Sequence, residues 1–138
     1  WRKARSAYNT WLSEVILQQT RVNQGLQYYN RFVQKYPRVE DLANAPLDEV
    51  LKLWQGLGYY TRARNMHETA RLVVRDFKGV FPSNYQALLS LRGIGPYSAA
   101  AIASIAFNQP VALVDGNVFR VLSRLYGITT PIDNAAGK

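Results

Sequence analysis

Apolar residues recur along this chain at intervals of three and four, and no stretch alternates apolar with polar over the length of a strand. The pattern predicts helices and no sheet. Trp11, Leu12, Val15 and Ile16 set the face of a helix over 8–19, and a second over 22–36 is stopped by Pro37. A short one covers 39–44. Leu47, Val50, Leu51 and Trp54 line one face of a helix over 47–54, with Pro46 at or near its first turn. The longest covers 61–77 and is followed by Gly79. A short helix over 85–90, an alanine-rich one over 97–107, and one over 118–126 with Val118, Val121, Leu122 and Leu125 in a stripe complete the chain; Gly127 stops the last. The spacing thus describes one compact all-α unit of seven or eight short helices over residues 1–138, without repeats or linkers.

Composition narrows the setting. With 138 residues, 48% of them hydrophobic, the chain is long enough to bury a core. The apolar stretch 99–107 is too short to span a bilayer and reads as a buried helix. Trp1-Arg2-Lys3-Ala4-Arg5 is followed by no apolar signal segment. The chain neither starts at Met nor ends on a cap, so it reads as a fragment of a longer protein. Without cysteine it offers no disulfide, thiolate nucleophile or thiolate-bound metal. A net charge of +8 points to a polyanionic partner, nucleic acid being the commonest, with ribosome contact or simple solubility as the alternatives.

Four segments carry candidate chemistry. In Leu91-Arg92-Gly93-Ile94-Gly95-Pro96-Tyr97, two glycines permit a tight turn and close backbone approach to a ligand, and Pro96 suits a first helical turn. The free N–H groups of the turn and helix start would then form an anion site, which is the physical content of a helix-hairpin-helix gripping a DNA phosphate. A plain helical corner is the alternative. In Leu113-Val114-Asp115-Gly116-Asn117-Val118, Asp115 stands where the final helix begins. It reads as an N-cap, but a carboxylate held ionised at a helix start also suits an oxocarbenium-like transition state. Glu14 lies among apolar neighbours, on one helix face with Leu17 and Gln18. It is either a solvated glutamate or, buried against apolar groups, a proton donor near neutrality. Trp54-Gln55-Gly56-Leu57-Gly58-Tyr59-Tyr60 is a glycine loop displaying Leu57 and two tyrosines before a helix that begins with Arg62 and Arg64. Such aromatics suit a wedge in a base stack, or they pack beneath the loop. His67, the only histidine, reads as structural.

In combination, S-E-V-I-L-Q-Q-T, G-L-G-Y-Y, G-I-G-P-Y and V-D-G-N-V resemble the helix-hairpin-helix DNA glycosylase superfamily, and within it the MutY adenine glycosylases, from Trp1 to about Ile128. The resemblance implies a helical bundle of the six-helix-barrel type with a helix-hairpin-helix motif. It implies Asp115 as the superfamily's aspartate and Glu14 as the general acid on adenine. Tyr97 would support the glutamate and the sugar, and Asn117 would orient the active-site carboxylates. Gln19 and Tyr59 would fill or wedge the duplex around 8-oxoguanine, with Gln18, Thr20 and Leu57 lining that region. Trp1, Arg2 and Leu17 would form part of the adenine pocket. Gly93, Ile94 and Gly95 would grip DNA through the hairpin backbone, and arginine side chains would hold phosphates.

The same resemblance implies a monofunctional enzyme. Lyases of the endonuclease III type place a Schiff-base lysine where Tyr97 stands, and an amine nucleophile is what a lyase needs. Thymine-mismatch relatives share the tyrosine and aspartate but lack the glutamate. No metal or cofactor is expected in this stretch; a 4Fe-4S iron–sulfur cluster is expected in the full-length protein, on cysteines downstream. The implied partner is double-stranded DNA with A:8-oxoG or A:G mispairs, met by a monomer in a cytoplasmic, nucleoid-associated, bacterial setting and not at a membrane. The competing expectation is a non-enzymatic helix-hairpin-helix DNA-binding module, or a related mismatch glycosylase.

Overall fold

A computed structural model of the protein describes residues 6–130. They form eight helices and no strand: α1 (Ala7–Leu17), α2 (Val22–Lys35), α3 (Val39–Asn44), α4 (Leu47–Trp54), α5 (Tyr60–Phe77), α6 (Tyr85–Leu89), α7 (Pro96–Phe107) and α8 (Gly116–Tyr126). Helix α1 starts on Ser6, whose Oγ accepts from the Asn9 N–H at 3.1 Å. It is buried on nearly every side, at Tyr8, Trp11, Leu12, Val15 and Ile16 and also at the polar Thr10 and Ser13. Ser13 is accommodated because its hydroxyl donates to the Thr10 carbonyl at 2.7 Å. The helix thus serves as the central post, packed against α2, α5 and α7. It ends at Leu17, two residues before the periodicity suggests, because Gln19 takes a left-handed backbone (φ 54°) and the Thr20 N–H turns back to the Leu17 carbonyl.

The other helices enclose that post. Helix α2 turns Tyr29 and Phe32 inward, α4 buries Val50 and Trp54, and α5 packs on α3 and α4. Pro46 is the residue that precedes α4, and α5 begins one residue earlier than its spacing suggests. His67 is buried in α5, its Nε2 hydrogen-bonded to the Ala45 carbonyl at 2.9 Å, a structural tie between α5 and the end of α3. Helix α6, capped by Asn84, leads through a turn into α7. The inner face of α7 is Ser98, Ala99, Ala100, Ile102 and Ala103, and these small side chains let it lie close to α1. Helix α8 is different, because none of its residues is buried and Val121, Leu122, Leu125 and Tyr126 of its apolar stripe face outward. No helix among the described residues is long and apolar enough to cross a membrane.

The contrast between post and stripe is measurable. Leu12→Ala should remove about 2–5 kcal/mol of stability, since Leu12 is fully buried at the centre. Leu125→Ala, at a side chain 70% exposed, should change stability of this 138-residue chain by no more than about 0.5 kcal/mol. Urea unfolding of the two variants beside the parent checks both values.

Candidate active site and nucleic-acid interface

The end of α1, the start of α2, the length of α7 and the start of α8 border an open cavity of about 730 Å³. Glu14 and Leu17 line it from α1 and Gln18 from its C-cap, Tyr97, Ser104 and Ile105 from α7, and Leu113 and Asp115 from the segment leading into α8. Two carboxylates and a phenol from three elements, far apart in sequence, therefore share one concave space. Helical spacing places Glu14 and Leu17 together, and Gln18 is fixed by its side-chain amide, which donates to the buried Ser98 hydroxyl at 3.2 Å. That bond joins the last turn of α1 to the first turn of α7. Ser98 is a supporting residue that sequence reasoning did not reach; its only signal is a hydroxyl within an alanine run.

Asp115 caps α8 and also lines the cavity. Its Oδ1 accepts from the N–H groups of Asn117 (3.0 Å) and Val118 (2.8 Å), and its Oδ2 accepts from the Asn117 side-chain amide (3.1 Å). The Val118 N–H chiefly holds the carboxyl below its ordinary pKa; desolvation, the next largest effect, opposes it, and the Asn117 donors and then the Arg120 charge add to the lowering. The result is an anion fixed at the cavity edge, with Asn117 orienting it.

The α6–α7 turn is shaped by two anchors. The Ile94 side chain is buried, and the Thr69 hydroxyl donates to the Arg92 carbonyl, which ties the turn to α5. Gly93 has φ 75°, and a Cβ there would sit 3.0 Å from the Cβ of Asn65, so both conformation and space require glycine. Gly93, Gly95 and Pro96 are left exposed, with the first-turn N–H groups of α7 behind them. The hairpin's Ile94 can therefore contribute backbone but not its side chain.

The second exposed edge consists of two turns. Gln19 and Thr20 follow α1, Gln19 being exposed, and Tyr59 stands 70% exposed with a left-handed backbone (φ 47°) before α5. Leu57 corrects the sequence reading. It is not displayed by its loop but packs in the core, 8% exposed, because Gly56 (φ 100°) and Gly58 (φ 69°) reverse the chain on either side of it. Arg62 turns inward, with Nη1 donating to the carbonyls of Val15 (3.2 Å) and Gln18 and Nη2 to that of Leu57 (3.4 Å). Burial lowers its pKa, and Tyr59 acts in the opposite direction. Arg64 remains exposed. Trp1 and Arg2 lie outside the described residues.

Residues 12–136 match the model of the HhH-GPD superfamily base excision DNA repair proteins. The chain belongs to this superfamily. It is 45% identical over 128 residues to the adenine DNA glycosylase of Buchnera aphidicola subsp. Baizongia pistaciae, covering 93% of this chain and 36% of that protein. It is 52% identical over 125 residues to the adenine DNA glycosylase of Mus musculus, covering 90% of this chain and 24% of that one. The chain thus spans just over a third of one of these relatives and just under a quarter of the other. Among solved structures, a thermostable thymine-DNA glycosylase superposes with a TM-score of 0.90 at 33% identity, over 99% of this chain and 64% of that one. Endonuclease III in a non-covalent DNA complex gives 0.83 at 25% identity, over 94% and 60%. The all-helical fold is therefore that of DNA glycosylases. The stretch has no cysteine to hold a thiolate-bound cluster, and the described residues hold no group of three or more metal-ligating side chains.

The cap geometry makes a prediction of its own. Asp115→Asn should leave the melting temperature near that of the parent, because asparagine caps about as well, whereas Asp115→Ala should lower it. With its folded-state pKa depressed, the Asp115 contribution is complete above an unfolded pKa of about 4 and is lost as pH falls through the folded value. Thermal melts of parent and Asp115→Ala should therefore converge on acidification; a constant gap would show that the carboxylate charge plays no part in the cap.

Proposed function

We propose that this chain is the catalytic core of a monofunctional adenine DNA glycosylase, which hydrolyses the N-glycosidic bond of adenine mispaired with 8-oxoguanine or guanine. The observation that carries the reading is that Glu14 and Asp115 line one cavity large enough for a flipped base, with Tyr97 lining it as well. The net charge of +8 and the exposed α6–α7 turn would hold duplex backbone, while Gln19 and Tyr59 enter the stack as adenine rotates out. Glu14 then delivers a proton to adenine N7, and the C1′–N9 bond breaks with its electron pair leaving on a neutral base. The ionised Asp115 stabilises the positive charge that develops on the sugar, and water adds at C1′ and loses a proton. General acid catalysis of this kind contributes about two to four powers of ten.

Several finer points belong to the same reading. The protein acts as a monomer on double-stranded DNA, in the cytoplasm and nucleoid of a bacterium, and its 4Fe-4S cluster and further recognition domain lie outside residues 1–138. A second reading, a thymine-mismatch glycosylase, is favoured by the close superposition on the thermostable thymine-DNA glycosylase. Glu14 argues for adenine, since thymine lacks a basic N7 for such an acid to protonate. Single-turnover release of free adenine against free thymine from the corresponding mispairs decides between the two, and release of neither base leaves a DNA-binding module.

Substitution of the two carboxylates should differ in kind. In the full-length protein Glu14→Gln should abolish adenine release, by at least about a hundredfold, while preserving mispair binding. Asp115→Asn should also suppress release yet tighten DNA binding by removing repulsion with phosphate. Near-parental release by Glu14→Gln would sink the adenine reading, and near-parental release by Asp115→Asn would return Asp115 to the role of a cap.

Position 97 supplies a further test. A phenol cannot form the imine on which strand cleavage depends, so the reaction should leave intact abasic sites and borohydride should trap no covalent adduct. An efficient amine-linked adduct within this domain would contradict the monofunctional assignment.

A further inference from the structure

We infer that Arg62 is a positioning residue that locks the two exposed turns at residues 18–20 and 56–59 into one rigid jaw, so that Gln19 and Tyr59 are presented to DNA together. The inference rests on the reading that these two side chains enter the duplex. The guanidinium is the only group described that binds backbone in both turns. It donates to the Val15 and Gln18 carbonyls at the open end of α1, and to the Leu57 carbonyl within the glycine loop. Its cationic carbon also lies over two rings, 5.1 Å from that of Trp54 in the buried core and 5.7 Å from that of the exposed Tyr59.

Both presented residues need such support. Gln19 and Tyr59 are non-glycine residues in the left-handed region, at φ 54° and 47°, and each would relax to an ordinary turn if its neighbours allowed. The carbonyls that Arg62 engages adjoin these strained positions, one residue before Gln19 and two before Tyr59. A planar fork with several donors can hold three carbonyls and a ring at once; a lysine ammonium offers a single point of contact. Arg64, two residues on and exposed, is left as the cation free to meet phosphate, so the inward turn of Arg62 is not explained by DNA charge.

The test follows 2-aminopurine fluorescence beside the mispair in the full-length protein, together with single-turnover base release, affinity for undamaged duplex, and melting temperature. Arg62→Lys should slow unstacking and base release about tenfold while affinity for undamaged duplex stays at the parental value. The effect should vanish in a Gln19→Ala/Tyr59→Ala background, because the residues Arg62 positions are gone. If that double variant unstacks DNA at the parental rate, the role of Gln19 and Tyr59 is wrong and the inference falls with it. If the double variant is slow but Arg62→Lys is as fast as the parent, or slows the double variant a further tenfold, the positioning role alone is overturned. Arg62→Gln is the second variant should Arg62→Lys not fold. Failure of both to fold would assign Arg62 to stability and overturn the inference.

Discussion

The close packing of α1 against α7 is the constraint on which the rest depends. A helix buried on nearly all sides must be met by partners that can come near it, and the alanine face of α7 supplies one. Each large side chain that α1 buries contributes about 1.5–3 kcal/mol, so the pairing is held by the core and not by the site. Its consequence for the site is geometric. With the helices this close, the last turn of α1 lies beside the first turn of α7, and Gln18 can bond Ser98 across the seam. Glu14 and Tyr97 then face one cavity.

Asp115 reaches that cavity by a different route. Helix α8 buries none of its residues, so packing does not fix where it starts. The start is fixed by the carboxylate, which collects two backbone N–H groups and a side-chain amide within three residues. The same hydrogen bonds that begin the helix keep the group ionised, so the local stability and the electrostatic property share one cause. An asparagine would satisfy the first requirement and not the second, which separates a cap from a charged site residue.

Much of this was legible in the chain because helices and caps are written locally. The three-and-four spacing places all eight helices to within about two residues at their ends, and Asp115 before Gly116-Asn117-Val118 reads as a helix start directly. What the spacing could not give is which way a side chain turns where the backbone leaves the helical region. Leu57 looks displayed between two glycines, yet their positive φ values rotate it into the core and put Tyr59 outside. Arg62 and Arg64 are alike in sequence, and only the neighbouring carbonyls of α1 and the glycine loop draw one of them inward. The Gln18–Ser98 bond spans 80 positions, with nothing local to announce it.

The molecule therefore separates two kinds of order. The α1 and α7 walls of the cavity follow from apolar burial, whereas the α8 edge follows from the Asp115 cap. The exposed turns depend more on polar contacts, since Gln19, Thr20 and Tyr59 are not themselves buried and Leu57 is the apolar anchor of the second turn. Polar contacts to carbonyls at a surface are individually weak, about 1 kcal/mol each, so several must converge to hold a strained turn. That convergence on one guanidinium explains why an arginine near a basic surface is half-buried instead of reaching into solvent, and why the two turns should respond to its removal as a pair.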